Sequence, residues 1–349
     1  MATIAATATA HPHFPLHRTE VKAALQKAFD LPPEDLSSLL SIFYNAGVEQ
    51  RYFVQPLEEL VKPRPLDVVS REYAEAAIAL TTRVATECLE RAGKRPDQVD
   101  YLITTSCTGV MIPSVDAHLV NAMGFRSDVR RLPITELGCA AGAVALSRAR
   151  DFVKAHPGSN VLVVAVELPS LTFQRRDVSM ANMVSCAIFG DGAAAVLLND
   201  EPGAGPAIVD TMSYQFPNSI DAMGFDLRDG GLHIVLAKEV PDLIREHIKD
   251  VLGGFLARHH LSREHIRNFM LHPGGKKILN YMEDELSLTR EDTDCSWHVL
   301  KQHGNMSSAS ILYVLQRLLE KRQAKKDDYG LMAAFGPGFS AEMLLLRWA

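Results

Sequence analysis

The chain has only five cysteines in 349 residues, an odd number scattered along its length with no CxxC spacing. That argues against a disulfide framework or a zinc site and points to a reducing, cytoplasmic setting. No apolar run reaches the ~18 residues of a membrane span, and Met1–Ala10 has no basic segment ahead of an apolar stretch. Neither a membrane anchor nor an export leader is expected. Positive charge is also short: 36 Lys and Arg against 42 Asp and Glu leave a net charge of −6, the wrong sign for a nucleic-acid binder. Any anionic ligand must be met by local basic groups. His11-Pro12-His13 and His259-His260 lack the i, i+4 spacing or carboxylate partners of a metal site, so no metal is expected. What the chain does have is hydrophobic mass. With 47% hydrophobic residues over this length it can bury a large core, as two domains or one duplicated unit.

Along the chain, the first 15 residues read as a loose start. Amphipathic helices follow over 19–30 and 34–46, with Thr19 capping the first and Gly47 ending the second. A long helical pattern spans 67–92, from Asp67 as N-cap to Gly93 just past its end. Residues 100–105 read as a buried strand, then a small-residue loop leads to a short helix ending at Gly124. Strands are expected at 130–134 and 160–167, the latter nearly all Val, Leu and Ala and hence buried on both faces. A Gly-rich turn at 189–192 enters another apolar strand. The segment Pro202-Gly203-Ala204-Gly205-Pro206 is the best linker. Beyond it come strands near 207–215 and 231–236, a helix at about 242–258, a strand at 268–271 and a further helix. A loop holding Cys295, a helix from Gly304-Asn305 to about 323 and two closing strands complete the chain. Such alternation argues an α/β fold, divided here as 1–205 and 206–349.

The two parts repeat one another. Gly138-Cys139-Ala140-Ala141-Gly142-Ala143 matches Gly304-Asn305-Met306-Ser307-Ser308-Ala309, each opening an apolar helix. Phe189-Gly190-Asp191-Gly192 matches Phe335-Gly336-Pro337-Gly338, and the upstream strand ends at Thr105 and His272 also correspond. The first part is longer between helix start and turn, which places an insertion within about 155–185. Duplication predicts two similar halves about a pseudo-two-fold axis. Cys139 and Asn305 should then face each other across it, with His272 beside them.

Cys139, between small residues at a helix start, has the setting of a nucleophile: the helix dipole and unpaired N–H groups favour its thiolate. His272 offers a second route to the thiolate, through an imidazolium pair. A thiolate accepts an acyl group to give a reactive thioester. An imidazole N–H and an amide aimed at one point stabilise an oxyanion or enolate. If that enolate arises by loss of CO₂ from a malonyl thioester, no strong base is needed, and its carbon can attack the Cys139 thioester in a Claisen condensation. Asp191 is read as bonding within its own Gly-Asp-Gly turn. Cys88, Cys186 and Cys295 are read as structural.

The ordered set Gly138-Cys139-Ala140, Phe189-Gly190-Asp191-Gly192, His272-Pro273-Gly274-Gly275, Gly304-Asn305-Met306-Ser307-Ser308-Ala309 and Phe335-Gly336-Pro337-Gly338 resembles the motif series of type III polyketide synthases, the chalcone-synthase-like branch of the thiolase superfamily. The resemblance runs from about residue 65 to the C-terminus. It implies the duplicated αβαβα thiolase fold and a homodimer with an active site in each subunit. It also implies iterative condensation of malonyl-CoA on an acyl-CoA starter, with CoA thioesters as substrates and no cofactor. A carrier protein is possible as a partner but not required. By this resemblance Cys139 carries the acyl group, while His272 and Asn305 promote decarboxylation. Phe189 takes the place of the gatekeeper between CoA tunnel and cavity. Thr172, Ser185, Gly224, Ile234 and Ser307 fall where the family lines its cavity, as does Cys107 beside Thr108. Phe335, Gly336 and Pro337 complete the set.

Three departures bear on specificity. Ile234 stands where plant members have a second gatekeeper phenylalanine, which points to a flexible aliphatic starter and alkylpyrone or alkylresorcinol products. Ala334 replaces the usual glycine, which would narrow the cavity floor. Ser37–Asn45, where plant members offer basic residues to CoA, has none, leaving Arg130-Arg131, Arg175-Arg176 and Lys276-Lys277 as candidates. Three alternatives stay open: a single-condensation ketoacyl-carrier-protein synthase, a cysteine hydrolase of Cys, His, Asn order, and a non-catalytic dimeric scaffold.

Overall fold

The structure, a computed structural model, describes residues 1–28, 33–201, 205–228 and 230–349. Pro202, Gly203 and Ala204 of the expected linker, and the expected end of the first helix at 29 and 30, lie outside the described residues. In chain order the elements are β1 (Thr3–Ala10), β2 (Phe14–His17), α1 (Val21–Ala28), α2 (Pro33–Asn45), β3 (Gln50–Phe53), α3 (Leu57–Leu60), α4 (Leu66–Arg91), β4 (Tyr101–Thr105), α5 (Val115–Met123), β5 (Arg130–Ile134), α6 (Ala141–Ala155), β6 (Val161–Glu167), α7 (Met180–Ile188) and β7 (Gly192–Asn199). The second half continues with β8 (Ala207–Gln215), β9 (Met223–Arg228), β10 (Gly231–Leu236), α8 (Val240–Ala257), β11 (Ile266–Leu271), α9 (Lys276–Leu286), α10 (Asp294–His303), α11 (Ser310–Lys321), β12 (Tyr329–Gly336) and β13 (Ser340–Arg347).

Nine strands join in one sheet, ordered β11-β12-β13-β8-β1-β7-β6-β4-β5. Outward from the β8–β1 contact, β13 answers β7, β12 answers β6 and β11 answers β4, so the repeat is built into the strand order. The pairing senses repeat too: β4 with β6 and β11 with β12 are parallel, β6 with β7 and β12 with β13 antiparallel. The extra length of the first half lies between β6 and β7, which enclose a 3-10 turn at Pro169–Thr172 and α7.

Alternate side chains of each strand enter different cores. Val161, Val163 and Ala165 of β6 share a core with α6 and α11, while Leu162, Val164 and Val166 pack with α4. In the second half Met332 and Ala334 of β12 join the α6–α11 core, and Leu331, Ala333 and Phe335 pack with α8. The layers are therefore α4, the first-half strands, α6 with α11, the second-half strands of the same sheet, and α8, the αβαβα arrangement. Its central layer is the pair of helices that Cys139 and Asn305 introduce.

Local readings are corrected at several places. The start of the chain is not loose: β1 lies mid-sheet, paired with β7 from Thr3↔Asn199 to Ala10↔Ala193. Ala and Thr carry too little apolar area to announce a strand, yet small side chains suit a position between β7 and α4. There the Cys88 thiol and Arg91 guanidinium of α4 donate to the carbonyls of Ala6 and Thr7, at 3.5 and 2.8 Å. Thr19 belongs to a 3-10 turn ahead of α1, and Asp67 lies inside α4, with Pro65 at the cap position. Strand β9 pairs with β10 as a separate hairpin, and Cys295 sits within α10, not in a loop.

Candidate active site

Each central helix starts at a turn gripped by the opposite half. A 3-10 turn at Gly138–Ala140 leads into α6, and Gly336 of β12 backs it so closely that a Cβ there would lie 2.6 Å from the Leu137 carbonyl oxygen. In the reciprocal contact, the Gly190 N–H donates to the Asn305 carbonyl at 3.0 Å and the Asn305 N–H to that of Ile188 at 2.7 Å. Thus 335–338 holds Cys139, and 189–192 holds Asn305. The helices cross where Gly142 meets Ser308, equivalent positions in the repeat; a Cβ on Gly142 would stand 2.3 Å from the Ser308 carbonyl oxygen.

Over these turns lies a cavity of about 2120 Å³ of atom-free space, counted to its open mouth. Cys139, His272 and Asn305 line it at 8%, 3% and 2% exposure, so the groups are shielded from bulk water. The same wall carries Cys107, Thr108, Thr172, Ser185, Phe189, Gly224, Ile234, Ser307, Phe335 and Pro337. Gly336 is not on it, because its α-carbon abuts the Cys139 turn from behind. Ala334 belongs to the α6–α11 core and does not narrow the cavity floor.

The Asn305 amide is oriented by its neighbours. Its Oδ1 accepts from the Ser307 N–H at 2.8 Å and the Ser310 hydroxyl at 3.4 Å, which turns Nδ2 toward the cavity, where it donates to the Gly274 carbonyl at 3.5 Å and bonds the Cys139 thiol. Both ring nitrogens of His272 lack a hydrogen-bond partner among the described residues. The lowered thiol pKa expected from the helix start is not found: burial pushes Cys139 up to about 11, against hydrogen bonds from Ser307 and Asn305. Burial likewise pulls His272 down to about 3. Each group charged alone would be an uncompensated buried ion. Moving the proton from thiol to imidazole instead creates both charges in one cavity, where each offsets the other's desolvation.

The sequence reading passed over Glu167, which ends β6 fully buried. Its carboxylate accepts from the Cys107 N–H at 3.1 Å, the Thr108 hydroxyl at 2.8 Å and the Ser308 hydroxyl. It ties the Cys107 loop to the start of α11, and burial raises its pKa against those bonds. One acidic residue closing an all-apolar strand was the available signal. The Cys107 thiol lies 3.5 Å from Glu167 Oε2 and 3.4 Å from the Ser307 hydroxyl. Asp191 does not bond its own turn. It accepts from the Val54 and Ser170 N–H groups, both at 2.9 Å, and from the Ser170 hydroxyl, because its turn is packed beneath β3 and the inserted segment.

Basic groups sort by position. Arg130 stacks on Phe152, Arg131 pairs with Asp116 at the sheet edge, and Arg175 donates to the Val61 carbonyl. Lys276 and Lys277, by contrast, line the cavity together with Lys238, which the sequence reading missed, and with Ser41 and Asn45 of α2.

The chain matches the family models "Chalcone and stilbene synthases, N-terminal domain" over residues 62–202 and "Chalcone and stilbene synthases, C-terminal domain" over 206–349. The chain belongs to the chalcone and stilbene synthase family. It is 36% identical to a 1,3,6,8-tetrahydroxynaphthalene synthase of Streptomyces peucetius subsp. caesius, across 98% of this chain and 92% of the relative. It superposes on the crystal structure of the 1,3,6,8-tetrahydroxynaphthalene synthase of Streptomyces coelicolor A3(2), a bacterial type III polyketide synthase, with a TM-score of 0.94. That match has 32% identity and covers 99% of each chain. PKS-I of the brown alga Ectocarpus siliculosus gives a TM-score of 0.93 at 29% identity, over 100% of this chain and 98% of that one. The fold is thus that of type III polyketide synthases, and the protein is an acyltransferase of that class.

Proposed function

We infer that this polyketide synthase loads an acyl-CoA starter onto Cys139 and extends it with malonyl-CoA by iterative decarboxylative Claisen condensation, the product closing to a pyrone or resorcinol. One observation carries the reading: a buried thiol, an imidazole whose two nitrogens have no partner among the described residues and an oriented carboxamide line one cavity that also carries three lysines. In loading, Cys139 Sγ bonds to the starter carbonyl carbon, its proton passes through His272, and CoA leaves as the thiol. Malonyl-CoA then loses CO₂. The freed electron pair becomes an enolate whose oxygen accepts from the His272 N–H and Asn305 Nδ2. The enolate carbon attacks the Cys139 thioester, and collapse of the tetrahedral adduct returns the thiolate. CO₂ loss supplies the carbanion, so the scheme calls on no metal or redox cofactor and requires no carrier protein. Lys238, Lys276 and Lys277 are suited to the CoA phosphates that α2 leaves unmet. Ile234 at the cavity wall supports a fatty acyl starter, and five free thiols suit a cytoplasmic setting. The division at 205/206 is proposed as the boundary between the half carrying the nucleophile and the half carrying His272 and Asn305.

The test is mass spectrometry of products from malonyl-CoA given with acetyl-, aromatic or long-chain acyl-CoA. Alkylpyrones or alkylresorcinols, most abundant from the long chains, are expected. Free acid and CoA alone would overturn condensation in favour of hydrolysis.

The working form is proposed to be a homodimer. The loop that follows the cavity-lining Cys107 and Thr108 exposes the apolar side chains of Val110 at 65% and Ile112 at 93%. Sedimentation at twice 38.4 kDa is expected, with Ile112→Glu shifting the protein toward monomer. A monomeric parent protein at micromolar concentration would count against the dimer.

A further inference from the structure

Helix α7 ends at Ile188 and leads straight into the 189–192 turn that holds Asn305, so the carbonyls at this end need donors from outside the helix. The Phe189 N–H serves Ser185 at 2.9 Å, and the Asn305 N–H serves Ile188. Cys186 and Phe189 take theirs from Arg51 of β3, 135 and 138 residues away in the chain. Its Nη1 donates to the Cys186 carbonyl, and to that of Phe189 at 3.2 Å. The rest of this segment grips the same turn: the Asp191 N–H donates to the Tyr52 carbonyl, and the Val54 N–H to Asp191 Oδ2, both at 2.9 Å.

Arg51 is only 4% exposed, and it stands on the mostly apolar wall of a second space behind Phe189, about 770 Å³ counted to its open side. Packing does not explain a cation there, since a methionine would fill the volume without the cost of desolvating a charge. The guanidinium lies over the Phe43 and Phe53 rings, 5.5 and 5.4 Å from their centroids. Burial pulls its pKa down to about 10, against the opposing effect of Cys186 and Asp191, so it stays charged at neutral pH. A charged donor at the C-terminus of a helix meets both the free carbonyls and the negative end of the helix dipole.

The Phe189 turn is thus clamped between Arg51 and the Asn305 backbone, whereas the Cys139 turn is backed by 335–338 of the second half. The two sides of the site have separate supports. We propose that Arg51 is a positioning residue: by capping α7 it fixes the Phe189 turn, and through that turn the Asn305 amide at which malonyl-CoA loses CO₂, while the Cys139 thiol is set independently. The inference rests on the polyketide-synthase reading and gives its decarboxylation step a support that its acyl-loading step does not need. Without Arg51 the Cys186 and Phe189 carbonyls lose their donor. The turn relieves that loss by shifting toward other polar atoms or water, and Asn305 moves with it. A displacement of about 1 Å at a reacting group costs on the order of 10²-fold in rate.

The experiment compares the parent protein with Arg51→Met in two reactions, both run well below the melting temperature of either protein. In the first, malonyl-CoA alone gives acetyl-CoA and CO₂, read as headspace CO₂. In the second, butyryl-CoA loads Cys139, read by intact mass. Arg51→Met is expected to lower kcat for decarboxylation on the order of 30-fold, with KM for malonyl-CoA and the loading rate within about 3-fold of the parent. Equal falls in both reactions would make Arg51 a merely structural residue and overturn the proposal, as would an unchanged kcat. Should Arg51→Met fail to fold, Arg51→Lys is read in its place. It keeps the charge but reaches only one of the two carbonyls, and a fall of about 5-fold in decarboxylation alone is expected. An unchanged ratio of decarboxylation to loading in Arg51→Lys also overturns the proposal. Those results leave the polyketide reading intact, whereas a parent protein that neither releases CO₂ nor acylates Cys139 would overturn that reading as well.

Discussion

Cys139→Ser is expected to carry no acyl group after incubation with any acyl-CoA, and to form product at least ~10³-fold more slowly than the parent. A serine hydroxyl is a far weaker nucleophile near neutral pH. The Cys139 turn offers it no general base beyond His272, whose imidazole burial holds down at about 3. The substitution nonetheless leaves His272 and the Ser307-oriented Asn305 amide in place. Slow loss of CO₂ from malonyl-CoA should therefore persist, giving acetyl-CoA that is never condensed. This split separates the two jobs of the site, acyl carriage and enolate stabilisation. Intact-mass spectra, product analysis and headspace CO₂ check it on one preparation. An acylated or condensing Cys139→Ser protein would remove Cys139 from the mechanism.

Gly142→Ala is the substitution expected to damage the fold most for its size. The added Cβ would lie 2.3 Å from the Ser308 carbonyl oxygen and 2.9 Å from Ile311 Cγ2. A backbone oxygen cannot rotate away, so α6 and α11 must part. The cost is about 3 kcal/mol, the upper end of ordinary overpacking. For a chain of this size that corresponds to a fall in Tm on the order of 4 °C. Both helices start at site residues, so the separation should also pull Cys139 and Asn305 apart and lower turnover. Gly253→Ala provides the contrast. It lies inside α8 with nothing within 4 Å of the added carbon, and should raise stability by up to ~1 kcal/mol through helix propensity alone. Calorimetry of the two variants gives opposite signs if packing at the crossing governs the effect. A neutral Gly142→Ala would mean that the helices are not held in contact there.

Several parts of this protein were legible residue by residue because their physics is local. Strand β6 was expected within a residue of where it lies, since a continuous Val/Leu/Ala run bounded by turn residues has few other uses. Gly93 and Gly124 mark the ends of α4 and α5 through a left-handed conformation, φ +63° and +75°, that other residues adopt at a cost. The repeat was visible because duplicated turns keep duplicated small residues, and the sheet order displays the same symmetry.

Other features exist only through partners distant in sequence. β1 is a strand because β7 and α4 leave room for Ala and Thr side chains between them. Asp191 takes its partners from Val54 and Ser170, and Glu167 from Cys107, Thr108 and Ser308. No spacing rule connects such pairs. The helix start at Cys139 argued for a lowered thiol pKa, and burial reversed the sign, because desolvation depends on everything packed around the sulfur. The sequence by itself therefore determined the elements with a strong local pattern, the duplication and the chemical identity of Cys139, His272 and Asn305. Tertiary packing alone decided that lysines of the second half line the same cavity as those three, and that an apolar space lies behind Phe189, since each depends on which surfaces exclude water together.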